Sequence, residues 1–260
     1  MAVAGAGAGT AHSITHLHVI QIVDRRRATP NADRERLVGQ DMPGRSRLRA
    51  RDEPTRFGVV IYDGVEPIDL GGTVGVVSMA ARVLPAIEAV TIAHAAGPVA
   101  LAGGLTVIAR HGFADAPPCD VTIVCGGPGW RAQVQDAAML GYLRSLDPLR
   151  VASVCTGALI LGAAGLLDGL AATTRRHAVG GETAAPLAAL KTVAPASDPR
   201  AALVVDAGVV TSGGVSLAID GTLYLIGRLY GEDARDEVAR IIEYDRAWAA
   251  NRALLGIVTG

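Results

Sequence analysis

From Phe57 onward, short runs of β-branched residues alternate with longer segments typical of helices. This alternation predicts a mostly parallel sheet covered by helices on both faces, an α/β doubly wound fold. The predicted strands are 57–62, 89–96, 120–127 and 150–154, and the predicted helices are 69–84, 131–146, 156–167, 178–190, 215–230 and 232–243. Two hairpins are expected as well, one at 97–110 around Gly103-Gly104 and one at 201–212 that turns at 206–208.

The 260 residues divide into three predicted parts. Residues 57–248 form the α/β domain and residues 249–260 a C-terminal tail. Residues 1–56 hold ten arginines and little apolar periodicity, which predicts a disordered extension. Nucleic-acid contact by these arginines is a less favoured alternative to a solvated extension. A metal site at His16 and His18 is also less favoured, since no acidic or cysteine cluster stands at ligand spacing.

Composition narrows the function classes. The net charge of −1 gives no general reason to expect a nucleic-acid partner. No apolar run reaches the roughly 18 residues of a membrane helix, so no membrane partner is expected. The three cysteines, Cys119, Cys125 and Cys155, are an odd and sparse set, which favours a reducing compartment and hence the cytoplasm. Nothing in the sequence calls for a cofactor or a metal ion.

Unusual residues follow three of the predicted strands. Asp69 comes after the first, Gly126-Gly127 after strand 120–125, and Cys155 after strand 150–154. Ligands of doubly wound sheets bind beyond the carboxyl ends of the strands. The sequence therefore predicts that an acid, backbone N–H donors and a thiol converge on one site.

Cys155 stands where a strand turns into a helix, followed by Thr156 and Gly157. Small residues permit a sharp nucleophile elbow, and the helix N-terminus is expected to lower the thiol pKa. The alternative is a cysteine that only fills space in the core. Cys119 and Cys125 are interpreted as packing residues, with Cys125 a possible pocket-lining side chain.

Asp69 is the acid in the apolar stretch Pro67-Ile68-Asp69-Leu70. It could serve as a helix N-cap, or, if partly desolvated, hold a proton to donate. Glu66 is the rival acid and is expected to be solvated. Gly126 and Gly127 either permit a tight turn or aim N–H groups at developing negative charge.

Three segments resemble the ThiJ/PfpI superfamily: "DVTIVCGGPG", "SVCTGALILGAAGLLDGLAATT" and "TSGGVSLAIDGTLYLIGRL". Within it, the chain is most similar to the isocyanide hydratase branch and to the ligand-binding domains of AraC-type regulators. The resemblance implies a flavodoxin-like fold, a homodimer, a reactive Cys155, an Asp69 that works with it, and a Thr156 next to it.

The chain departs from that resemblance at three places. "DLGGT", which begins at Asp69, replaces "DLTGP", and Cys125 replaces a proline before the two glycines. Arg175 stands where relatives carry histidine, with His177 two residues on. Arg175 could contact an anionic ligand or be a surface arginine, and His177 is expected to have a surface or packing role.

Three function classes follow from these residues. The first is an isocyanide hydratase that adds water to give an N-substituted formamide through a cysteine thioimidate, which needs a soft nucleophile and an acid. The second is another cysteine enzyme of the superfamily, such as a glyoxalase, deglycase or peptidase. The lack of a matching histidine counts against the peptidase. The third is a ligand- or redox-sensing domain without catalysis.

Overall fold

A computed structural model describes residues 47–260. The first described residues already belong to the folded part, since the Arg49 guanidinium donates to Asp120 at 2.6 Å and the Arg49 N–H donates to the carbonyl of Leu229 at 2.8 Å. The prediction of disorder therefore does not hold for residues 47–56. The rest of the predicted extension, including His16 and His18, lies outside the described residues.

The chain forms twelve short strands and eight α-helices over the described residues. The strands are β1 (Thr55–Val60), β2 (Ile87–Ala93), β3 (Gly97–Ala100), β4 (Thr106–Ala109), β5 (His111–Gly112), β6 (Val121–Val124), β7 (Val151–Val154), β8 (Ala171–Ala172), β9 (Asp198–Pro199), β10 (Val204–Ala207), β11 (Val209–Ser212) and β12 (Ile257–Thr259). The helices are α1 (Pro67–Ala80), α2 (Trp130–Gln133), α3 (Ala137–Arg144), α4 (Gly157–Ala163), α5 (Pro186–Val193), α6 (Leu217–Tyr230), α7 (Glu232–Ile241) and α8 (Asp245–Leu255).

Eight strands form the central sheet in the order β12-β10-β11-β7-β6-β1-β2-β5. The six strands from β11 to β5 run parallel, and only β10 and β12 run the other way. The sheet is therefore mostly parallel, as the alternating pattern predicted, and the fold is flavodoxin-like. From β1 the chain adds β2 on one side, and it later returns to add β6 on the other side of β1. The strand order therefore reverses between β1 and β6, and ligands of such folds bind at this switch point, beyond the carboxyl ends of the two strands.

Helices cover the sheet in two groups. Helices α1, α6 and α7 pack on one another, and α2, α3 and α5 pack around α4. The first six residues of α4, Gly157 to Gly162, are all buried, which explains a sequence that is apolar on every side. None of the helices in the described part of the chain has the length and hydropathy needed to span a bilayer.

The structure corrects two predicted helices. Helix 131–146 is split into α2 and α3, because the Asp136 carboxylate accepts hydrogen bonds from the N–H groups of Ala138 and Met139 and starts a new helix there. Helix 178–190 begins only at Pro186, a residue suited to the first turn of a helix.

The predicted C-terminal tail, 249–260, is also part of the fold. It supplies the end of α8 and the whole of β12, which pairs in parallel with β10 at the edge of the sheet. The two predicted hairpins are present, β3 with β4 and β10 with β11.

Candidate active site

Cys155 occupies a strained turn between β7 and α4. Its φ is 54°, a left-handed value that costs free energy for any residue with a side chain. Its N–H donates to the carbonyl of Gly213 at 3.1 Å, and its carbonyl accepts from the Thr174 hydroxyl at 2.6 Å. A Cβ on Gly157 would lie 2.1 Å from the carbonyl oxygen of Val124, so the turn needs a glycine there. This is the elbow that the sequence predicted.

Asp69 lies against Cys155, fully buried, on the first turn of α1. Its Oδ2 accepts from the N–H of Gly126 at 3.0 Å, and its Oδ1 accepts from the N–H of Val215 at 2.9 Å. A hydrogen bond also joins its carboxyl to the Cys155 thiol. The N-cap of α1 is Glu66, so the capping interpretation of Asp69 was wrong.

Burial changes the acidity of both groups. Loss of solvent raises the pKa of Asp69 to about 7, although hydrogen bonds from Cys155, Val215 and Gly126 oppose the rise. Burial, and then the neighbouring Asp69 charge, raise the pKa of Cys155 to about 12. The N–H groups of Thr156 and Val215 oppose that second shift without reversing it.

The expectation of a lowered thiol pKa is therefore wrong, whereas the expectation of a raised Asp69 pKa is confirmed. Cys155 is only 2% exposed and faces a carboxylate, and together these outweigh the helix N-terminus. Near neutral pH the buried pair keeps the thiol proton, and Asp69 is partly ionised. The pair titrates as a unit, because a second negative charge in this space is costly.

The pKa of Asp69 gives a testable pH dependence of stability. An unfolded aspartate loses its proton near pH 4, whereas the folded protein keeps it until about pH 7. The contribution to stability is thus complete below pH 4 and declines as pH rises to about 7. Relative to Asp69→Asn, the wild-type free energy of unfolding should fall by on the order of 4 kcal/mol across that window. Urea unfolding of both proteins from pH 4 to pH 8 measures this, and parallel curves would contradict it.

Gly126, Gly127 and Thr156 enclose the pair. The N–H of Gly126 is taken by Asp69, and the N–H of Gly127 donates to Oγ1 of Thr156 at 2.9 Å. Both amides that were expected to face developing negative charge therefore bind oxygens of the protein itself. They hold the Asp69 carboxyl and the Thr156 hydroxyl in fixed positions beside Cys155.

Gly126 leaves no room for a side chain. A Cβ there would lie 2.5 Å from the Thr156 nitrogen, 2.6 Å from Cys155 Cβ and 2.7 Å from Asp69 Oδ2. We expect Gly126→Ala to reduce the free energy of unfolding by about 1–3 kcal/mol, the usual cost of overpacking. Gly141→Ala is the matched control, since nothing lies within 4 Å of a Cβ at that position of α3. If chemical denaturation finds the two variants equally stable, the residues around Gly126 can accommodate a Cβ, which contradicts this expectation.

The loop after β11 is a fourth part of the site, which sequence reasoning missed. Val215 has a φ of 59°, strained for a β-branched residue, and its N–H reaches both Asp69 and Cys155. A Cβ on Gly214 would lie 2.5 Å from Cys155 Sγ, so only a glycine lets the loop approach the sulfur. The available signal was "TSGGVS", a glycine pair at the end of another predicted strand.

The other candidate residues have different places. His177 is exposed, and its carbonyl accepts from Arg175 Nη1. Arg175 is neither a free anion contact nor a surface arginine, since its Nη2 donates to both oxygens of Glu182 at 2.7 and 2.8 Å. Cys125 is fully buried in the core, and Cys119 is partly exposed. Glu66 is partly exposed, and its charge contributes to the raised pKa of Asp69.

Comparison with known proteins agrees with this architecture. The DJ-1/PfpI family model matches residues 56–226, which span the site from β1 to α6. The chain belongs to the DJ-1/PfpI family. An isonitrile hydratase of Pseudomonas putida is 33% identical over 191 residues, 73% of this chain and 78% of that protein.

Other members show how broad this DJ-1/PfpI family is. A solved ThiJ/PfpI family protein from Pseudomonas syringae has a TM-score of 0.64 at 26% identity, covering 80% of this chain and 81% of that one. The HTH-type transcriptional regulator GbdR of Pseudomonas aeruginosa is 30% identical over 145 residues, 55% of this chain but only 37% of the regulator. Enzymes and regulators therefore share this domain.

Proposed function

We propose that this protein hydrates isocyanides to N-substituted formamides, with Cys155 as nucleophile and Asp69 as its acid and base. The observation that carries the proposal is the buried, hydrogen-bonded pair of Cys155 thiol and Asp69 carboxyl, whose pKa of about 7 lets Asp69 both take and give a proton. The 33% identity to an isonitrile hydratase supports the same reaction class.

The first step passes one proton through the pair. Ionised Asp69 takes the thiol proton as Cys155 Sγ attacks the terminal carbon of the isocyanide. Asp69 then delivers that proton to the same carbon, which leaves a thioimidate, R–N=CH–S, on Cys155. Because the thiolate forms only as the S–C bond does, a resting pKa of about 12 does not prevent the attack.

The second step starts again from ionised Asp69. The carboxylate, free of its proton, removes one from water as the water oxygen adds to the thioimidate carbon. Asp69 passes that water proton to the nitrogen. The C–S bond then breaks as the added hydroxyl becomes the formyl C=O, and the hydroxyl proton passes through Asp69 to the sulfur. The products are R–NH–CHO and the starting enzyme, so the atoms of one water are added. We assign the positioning of water or substrate to the Thr156 hydroxyl, which its contact with Gly127 holds beside Cys155.

The tightness of the site favours a slender substrate end. Cys155 is 2% exposed and Asp69 is not exposed at all. An isocyanide presents an unbranched terminal carbon, whereas a peptide or a sugar-derived carbonyl presents substituents on the reacting carbon. The exposed His177 is not placed to act as the base of a Cys–His enzyme.

The test is formamide production by the purified protein from one alkyl and one aryl isocyanide, measured by liquid chromatography. Turnover that disappears in Cys155→Ala supports the hydratase. Absence of turnover with both substrates, together with saturable binding of an isocyanide in a thermal-shift assay, would instead favour a ligand-sensing domain. That second function has its own support in the regulators that share this domain.

A further inference from the structure

Arg175 lies beside the candidate nucleophile. A Cβ on Gly214 would lie 2.5 Å from Cys155 Sγ and 3.0 Å from Arg175 Cβ, so one small residue separates the two side chains. Thr174, which precedes Arg175 in the sequence, donates a hydrogen bond from its hydroxyl to the Cys155 carbonyl. Burial raises the pKa of the Cys155 thiol, and the Arg175 charge opposes that rise, so the charge is felt at the sulfur. An unpaired guanidinium in this place would attract anions to the site.

Glu182 removes that attraction. Both of its carboxylate oxygens accept from Nη2 of Arg175, and Oε2 also accepts from the N–H of Val179 at 3.0 Å. The Arg175 and Glu182 side chains are 12% and 13% exposed, so solvent screens the pair only weakly. Partial burial works against ionisation of Glu182, but the hydrogen bonds from Arg175 keep its pKa below the usual value. Glu182 is thus negatively charged at neutral pH and balances the charge of Arg175. The same carboxylate lies 4.0 Å from Nη2 of Arg131, whose side chain is 58% exposed and therefore better screened by solvent.

We propose that Glu182 is a specificity-determining residue that makes the Cys155 site select uncharged reactants by neutralising Arg175. Without the Glu182 charge, the same site would prefer reactants that carry a carboxylate. The natural substrate class that follows, neutral isocyanides, rests on the proposed function. The charge selection itself concerns the thiol and is tested without turnover.

Two thiol reagents of nearly equal size measure charge selection directly. Iodoacetamide is neutral and iodoacetate is anionic, and both form an S–C bond with loss of iodide while the thiol proton goes to the buffer. The rate of modification of each cysteine is followed by peptide mass spectrometry at low salt. The iodoacetate-to-iodoacetamide rate ratio at Cys155 is the readout. Cys119, partly exposed and outside the site, gives an internal reference in each protein.

Glu182→Gln keeps the shape of the side chain and removes its charge. We expect the Cys155 ratio to rise by roughly 3- to 10-fold, and to return toward the wild-type value at high salt. Arg175→Gln leaves the opposite charge unpaired and should lower the ratio by a similar factor, which keeps the test informative if one variant does not fold. The matched control is Glu237→Gln. Glu237 lies on α7 and is paired with Arg51 at 2.6 Å, so this variant removes the charge of a paired acid elsewhere and should leave the ratio unchanged.

Ratios that stay at the wild-type value in both site variants would overturn the proposal, and so would a Cys155 that iodoacetate fails to modify in Glu182→Gln. A shifted ratio in a protein that makes no formamide would retain the charge selection and reject the hydratase. Formamide production with unshifted ratios would support the hydratase and reject the charge selection.

Discussion

Formamide formation should be abolished when Cys155 is replaced with alanine, because the S–C bond to the isocyanide carbon cannot form. The substitution removes one buried sulfur and keeps the Cβ that packs near Gly126. We therefore expect a folded protein whose turnover falls to the background rate. Kinetics with a saturating isocyanide, alongside the circular dichroism spectrum of the variant, measure both properties.

Cys119→Ala is the control for this loss, since that thiol lies outside the site and should not contribute to turnover. Intact-mass spectrometry of wild type, quenched during turnover, should detect the mass of one isocyanide added to the protein, carried by the peptide that contains Cys155. Full activity in Cys155→Ala would mean that the thioimidate is not on the pathway.

Asp69→Asn should reduce kcat/KM by on the order of 10²-fold or more, the usual loss when a general acid or base is removed. The asparagine side chain offers one acceptor oxygen, whereas Asp69 accepts from both Gly126 and Val215. The variant thus loses the proton carrier and part of its positioning. Glu66→Gln is the matched control, since the Glu66 side chain acts on Asp69 through its charge, and the variant keeps the backbone hydrogen bond from the Glu66 N–H to the Gly126 carbonyl.

The pH profile separates a lost proton carrier from a merely disturbed site. Below about pH 7 Asp69 is protonated and cannot take the thiol proton, so wild-type kcat/KM should rise with pH and level off above about 7. Glu66→Gln should move that midpoint to lower pH, since the Glu66 charge helps to raise the Asp69 pKa. In Asp69→Asn the rise should vanish. If Asp69→Asn still shows the same rise of kcat/KM with pH, the titration belongs to another group.

The strand and helix pattern was readable from the sequence because it depends on short-range preferences. β-branched runs and their glycine-containing turns identified the sheet strands, and the turn at Cys155 followed from the small residues after it. Errors arose where a single side chain competed with the local pattern. Asp136 interrupts a helix that periodicity alone would continue, and β12 forms only because β10 offers it an edge.

The sequence by itself determined that Asp69, Gly126, Gly127 and Cys155 lie beyond the carboxyl ends of parallel strands, since strand direction and order in the chain suffice for that. Only the tertiary structure decided the acidity of the site. Burial of Cys155 beside a carboxylate raises its pKa against the effect of the helix N-terminus, and burial depends on the whole assembled core. Contacts such as the N–H of Val215 to Asp69, 146 residues apart, arise from how separate loops meet at one end of the sheet. No local pattern specifies such meetings, because the loops are brought together by the strand order and not by their own sequences.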